Sequence, residues 1–181
     1  MSSAPDLRPS IASPWGVAFA PLPAEELAQR WRTLLGDPRS PERFELDAYG
    51  DILPMTPPKT AHQRIVASFM RQLDRELGGE SLPGVGVLTR SGVFIPDVVW
   101  SPRYANDDPQ RVAPDICIEV QSESNTRREL NEKLAAYLAA GSREVILVEL
   151  SGRIRYFGAE GERSESALGL RLRLPDDSYP L

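Results

Sequence analysis

The run DICIEVQS, residues 115–122, constrains the fold more than any other stretch of this chain. Apolar side chains at nearly successive positions leave no wet face, so the run reads as a strand covered on both sides and central in its sheet. A covered sheet needs helices packed on it. One acidic residue, Glu119, interrupts the run. A carboxylate in a buried strand is costly unless it is paired, bound to a metal or turned into a cleft.

Two stretches supply the covering helices. From Ala61 to Leu77, Ile65, Val66, Phe69, Met70, Leu73 and Leu77 recur at helical spacing, and Gly78 with Gly79 ends the run. From Thr126 to Ala140, Leu130, Leu134, Tyr137 and Leu138 share a face, with Asn125 or Thr126 as the cap and Gly141 as the stop. Pro23, Glu25, Glu26 and Gly36 bound a shorter helix with Leu27, Trp31 and Leu35 on one side. FEL and DILPM predict a hairpin around Tyr49 and Gly50, and EVILVEL and RIRYFG predict another around Ser151 and Gly152. VGVLT and GVFIPDVVW read as two strands, the second irregular at Pro96, and the alternation of ALGLRLRLP predicts one or two edge strands. SPRYANDDPQRVAPD is polar and holds three prolines, which makes it a surface loop. The expected fold is α/β, a mixed sheet flanked by helices. Residues 1–22, with Pro5, Pro9, Pro14 and Pro21, form an extended arm that Trp15 and Phe19 could dock, and residues 23–181 form a single domain.

At 181 residues and 41% apolar content, one ordinary core accounts for the whole chain. The single cysteine, Cys117, excludes an internal disulfide and fits a small buried hydrophobe in a reducing cytoplasm. The first residues lack the charged start and apolar run of a signal peptide, and no segment has the length of a membrane span. A net charge of −5 argues against a broad basic coat for nucleic acid. A local basic cleft stays open, with Arg127, Arg128, Lys133 and Arg143 close in sequence, although a solvated helix face accounts for them equally. No phosphate-binding glycine loop, dinucleotide fingerprint, paired CxxC or nucleophile elbow is present.

Asp97 and Glu119 each close a strand-like run, and Lys133 follows on the next helix. Carboxylates fixed on adjacent strands suit a hard divalent cation such as Mg2+, and a nearby ammonium can stabilise charge developing on a phosphoryl group. Bland readings compete. Asp97 could cap a turn beside Pro96, and Lys133 could pair with Glu129, four residues earlier on the helix. Gln121 shares a strand face with Glu119 and could orient a ligand or simply leave the sheet. His62, the sole histidine, reads first as a capping or surface group, and Glu45 and Asp51 read first as solvated hairpin charges.

FELDAYGDILPMTPPKTAHQRIV, then PDVVW, then APDICIEVQSESNTRRELNEKLAAYLAAGSREVILVEL resemble, in order, the Uma-type endonucleases of the PD-(D/E)XK superfamily. The resemblance runs from about Phe44 to Phe157 and implies the restriction-endonuclease-like fold. It places Asp97 at the aspartate of the PD motif and Glu119 at the acid of (D/E)XK. Gln121 then stands where the superfamily has its lysine, and Lys133 takes the lysine role from the following helix. The implied activity is Mg2+-dependent cleavage of DNA, with Mn2+ as a substitute, Asp97, Glu119 and the Val120 carbonyl as metal ligands, and a homodimer to cut both strands. The alternative is a module of the same fold that binds nucleic acid or protein without cutting, which the acidic balance and Gln121 favour.

Overall fold

The computed structural model describes residues 20–175, so most of the N-terminal arm, with Trp15 and Phe19, lies outside the described residues. In chain order the elements are α1 (Ala24–Leu35), β1 (Phe44–Asp47), β2 (Ile52–Pro54), α2 (Thr60–Leu77) and β3 (Glu80–Leu82). They continue with β4 (Val87–Thr89), β5 (Gly92–Phe94), β6 (Val98–Ser101), β7 (Ile116–Val120) and α3 (Arg127–Ala139). The last three are β8 (Glu144–Val148), β9 (Ile154–Gly158) and β10 (Gly161–Arg163). No helix among the described residues is long and apolar enough to cross a membrane.

The strands form two sheets, one ordered β2-β1-β5-β4 and the other β10-β9-β8-β7-β6-β3. β7 is central, as its apolar run requires, and it pairs parallel with β8 and antiparallel with β6. The parallel pair is joined through α3, since parallel neighbours need a crossover and cannot be linked by a tight turn. Ile116, Ile118 and Val120 of β7 face one core with Ile65, Val66, Phe69 and Leu73 of α2. Cys117 faces the other with Leu130, Leu134 and Tyr137 of α3. The two-residue period of the strand therefore sends Glu119 toward α3.

α1 lies on the smaller sheet, where Leu27 and Trp31 are buried and the Trp31 ring packs 5.1 Å from that of Phe44. Leu35, expected on the same face, is half exposed. The β1–β2 hairpin closes through Asp47, whose Oδ1 accepts the N–H groups of Tyr49 and Asp51, with Gly50 at a φ of 78°. Gly92 is required by close approach, because a Cβ there would collide with the Leu46 carbonyl of the neighbouring strand.

Three expectations need correction. GVFIPDVVW is two strands rather than one, because Pro96 and the turn beside it break the ladder and pass the chain from the small sheet into the large one. β3 and β10 were not expected, being three-residue edge strands with little β-forming character. ALGLRLRLP forms no strand. Leu170 and Leu172 are buried in the α2-side core, and the Gln72 amide binds the Arg173 backbone in both directions, so a side chain satisfies what a ladder would have satisfied.

Candidate active site

The register of β6 against β7 assembles the site. Val98 lies opposite Ile118, which brings Asp97, just before β6, alongside the end of β7. Asp97 Oδ2 accepts the Val120 N–H at 2.8 Å. One step back, the Ile95 N–H leaves the ladder and donates to Glu45 Oε1 at 2.8 Å. The break between the sheets thus places carboxylates from β1, the β5–β6 junction and β7 along one cleft. Glu45, Asp97 and Glu119 line one cleft of about 880 Å³ with His62, Val120, Gln121 and Lys133.

One face of helix α3 lines this cleft. Thr126 accepts the Glu129 N–H while the Glu129 carboxylate accepts the Thr126 N–H, a capping box that fixes the first turn. Lys133 and Tyr137 follow on one face, four residues apart. Tyr137 donates its hydroxyl to Glu119 Oε1 at 2.7 Å, both groups being buried. Lys133 donates to Glu45 Oε1 at 2.7 Å, lies 3.8 Å from Glu119 Oε1, and sits 5.7 Å from the centre of the Phe94 ring. The ammonium is therefore directed into the cleft, and Glu129 is engaged at the helix cap.

These environments set the charges. Burial pushes the Glu119 carboxyl up to about 8; the Lys133 charge and the Tyr137 hydroxyl oppose this, while Asp97 and Glu45 add to it. Burial disfavours the Lys133 charge, but Glu119 and Glu45 outweigh it and hold the ammonium above the usual lysine range. The shorter contact assigns Lys133 to Glu45, which leaves Glu119 without an ammonium of its own, so in the metal-free cleft its carboxyl tends to keep a proton. His62 Nε2 stands 3.2 Å from Asp97 Oδ2, and its Nδ1 is buried with no hydrogen-bond partner. Burial opposes its protonation, yet the Asp97 hydrogen bond and the nearby Asp97 and Glu119 charges raise it above the ordinary histidine range.

The sequence reading placed Asp97, Glu119, Gln121 and Lys133 together, and all four line the cleft. Gln121 is tied at one end, its Oε1 accepting the Leu150 N–H at 3.1 Å. Two residues were undervalued. Glu45 is 6% exposed rather than solvated, and His62 reaches Asp97 rather than the surface. The available signal for Glu45 was its place between Phe44 and Leu46, which turns it to the other face of the strand. Only the fold reveals that this face meets a cleft. Asp51 remains an exposed hairpin charge. Of the expected basic cluster only Lys133 lines the cleft, since Arg128 pairs with Glu132 at 2.7 Å and Arg143 with Asp115 at 3.5 Å.

The donors suit a hard cation. Among the described residues no three histidine, cysteine or acidic side chains converge as a ready-made metal centre. Mg2+ does not require one, because it commonly binds through one or two carboxylates and retains several waters.

The mixed α/β arrangement, with this cleft at the break between sheets, is the restriction-endonuclease-like fold of nucleases. Residues 25–175 match the family described as "Uma2: Putative restriction endonuclease", and the chain belongs to that family. It is similar in fold to a solved structure from Anabaena variabilis, described as a "putative nuclease belonging to DUF820". That likeness has a TM-score of 0.63 at 15% identity and covers 80% of this chain and 94% of the other. No curated protein matches the sequence.

Proposed function

We propose that the protein is a Mg2+-dependent endonuclease that hydrolyses phosphodiester bonds in DNA, with Mn2+ able to substitute. One observation carries the reading: Glu119, a buried carboxylate whose nearest ammonium is already engaged by Glu45, shares a cleft with Asp97. A cation bound between the two would displace the proton and let the buried Glu119 carboxyl ionise. Asp97, Glu119 and the Val120 carbonyl would hold it, and when bound it would polarise the phosphate and lower the pKa of a ligated water.

The chain's own groups have distinct tasks. The Val120 N–H and His62 orient the Asp97 carboxylate, and the Tyr137 hydroxyl orients that of Glu119. Lys133 supplies fixed positive charge for the phosphate oxygens as negative charge builds on them. Gln121, bound to the backbone through Oε1, offers its amide nitrogen to a ligand or water. In the reaction a water oxygen bonds to phosphorus and loses a proton, while the sugar oxygen leaves and takes one up. Pairing of two chains would let two clefts cut both strands. Residues 167–175 do not supply the pairing surface, since their leucines are used in the chain's own core.

A second reading, binding without cleavage, is favoured by Gln121 standing in place of the motif lysine with its Oε1 tied to Leu150. Incubating the protein with plasmid and Mg2+ separates the two. Endonuclease action gives nicked or linear product that disappears with Asp97→Ala and Glu119→Ala, the fold being checked by circular dichroism. Plasmid retarded but uncut under every divalent cation supports the binding module. Sedimentation at micromolar concentration tests the pairing, and a monomer removes it.

A further inference from the structure

The mouth of the cleft carries an ion pair that the hydrolytic reading does not use. Lys59 Nζ lies 2.6 Å from Glu123 Oε2, and each side chain is 66% exposed. The partners come from different parts of the chain, Lys59 from the proline-rich segment before α2 and Glu123 from the turn between β7 and α3, and both line the cleft. The Lys59 hydrogen bond and charge hold the Glu123 carboxyl below its ordinary range.

Arg43, Lys59, Glu123, Glu129 and Glu132 line the cleft together with the site residues. The helix ends beside it differ. α3 has its capping box, whereas α2 begins after Lys59 with no side-chain cap and no acidic residue in its first turn. The positive end of α2 and the Lys59 ammonium therefore favour an anion at the same place, and Glu123 supplies it. An exposed pair of this kind is weak and salt-screened, so another anion can displace the carboxylate.

We propose that Lys59 is a phosphate-docking residue for the nucleic-acid strand entering this cleft, and that Glu123 is its resident competitor, released when a backbone phosphate takes its place. The proposal rests on the nuclease reading and adds a point at which the strand is held. A phosphodiester oxygen accepts the same ammonium hydrogen bond that Glu123 accepts now.

The test is a double-mutant cycle on binding. Fluorescence anisotropy of a labelled oligonucleotide, single-stranded and duplex, is measured in Ca2+ for the wild type, Lys59→Met, Glu123→Gln and the double variant. Lys59→Met should weaken binding and Glu123→Gln should tighten it, each by about 1.5- to 5-fold, the range of an exposed ion pair. Glu123→Gln should have no effect once Lys59→Met is present. A general field effect would instead make Glu123→Gln tighten binding equally in both backgrounds, and that result overturns the proposal, as does unchanged affinity in Lys59→Met. Either leaves the nuclease reading to the plasmid assay with Mg2+. Absence of binding by all four proteins overturns both.

Discussion

Lys133 Nζ lies 2.7 Å from Glu45 Oε1, a contact between residues 88 positions apart that ties the first β-hairpin to helix α3. Both side chains are largely buried, so the pair differs in kind from a solvated helix salt bridge. Lys133→Met should leave Glu45 and Glu119 without their cation and cost about 3 kcal/mol, the scale for breaking a buried pair. Urea unfolding measures this. A loss of only about 0.2–0.5 kcal/mol would be that of an exposed i,i+4 pair and would contradict the burial. Adding Glu45→Gln should recover part of the loss, and cleavage should remain absent.

The burial of Glu119 predicts how stability varies with pH. Glu119 has a folded-state pKa raised from 4.5 to about 8, so across that interval the folded chain holds a proton that the unfolded chain has released. Stability of the metal-free protein should therefore fall as pH rises through this window. His62, also raised, acts in the same direction: its contribution is complete below its unfolded pKa and is lost as pH climbs through the folded value. Glu119→Gln should flatten the profile. Chemical denaturation at pH 5, 6, 7 and 8 is the measurement, and stability rising over this range would show that Glu119 is ionised at little cost.

Cys117 is fully buried in β7, and burial pushes its thiol up to about 12. Its Sγ lies 3.2 Å from the Ser142 hydroxyl, deep in the α3-side core. A thiol reagent at pH 8 should leave the native protein unmodified and label one sulfur on unfolding. Rapid labelling of the folded chain would mean that β7 opens locally, and the packing described for it would be wrong.

The sequence was most informative where structure depends on neighbours in the chain. Helix α2, helix α3 and strand β7 each follow from local apolar spacing, and their bounding glycines and caps lie within a few residues. Pro96 announced a break, yet its consequence, a strand changing sheets, depends on partners that local pattern does not name. Glu45 and His62 resisted for the same reason. A charge beside apolar neighbours looks solvated until Lys133 or Asp97 arrives from elsewhere in the fold. Glu119 was more legible because its own strand is apolar on both sides, which makes a solvated strand-end charge the costlier interpretation.

The segment after β10 is the clearest case of a pattern with two meanings. Its alternation reflects burial without a ladder, because Gln72 Nε2 donates to the Arg173 carbonyl at 2.7 Å and Gln72 Oε1 accepts the Arg173 N–H at 2.8 Å. Gln72→Leu should keep the bulk of the side chain but leave two backbone groups unpaired, costing about 1–3 kcal/mol. Leu172→Ala should cost about 2–5 kcal/mol by opening the α2-side core. If the segment instead paired as an edge strand, Gln72 would be dispensable. Hydrogen exchange at the Arg173 amide distinguishes the cases, since slow exchange in the wild type that becomes fast in Gln72→Leu identifies the side chain as its protector, whereas unchanged protection identifies another strand.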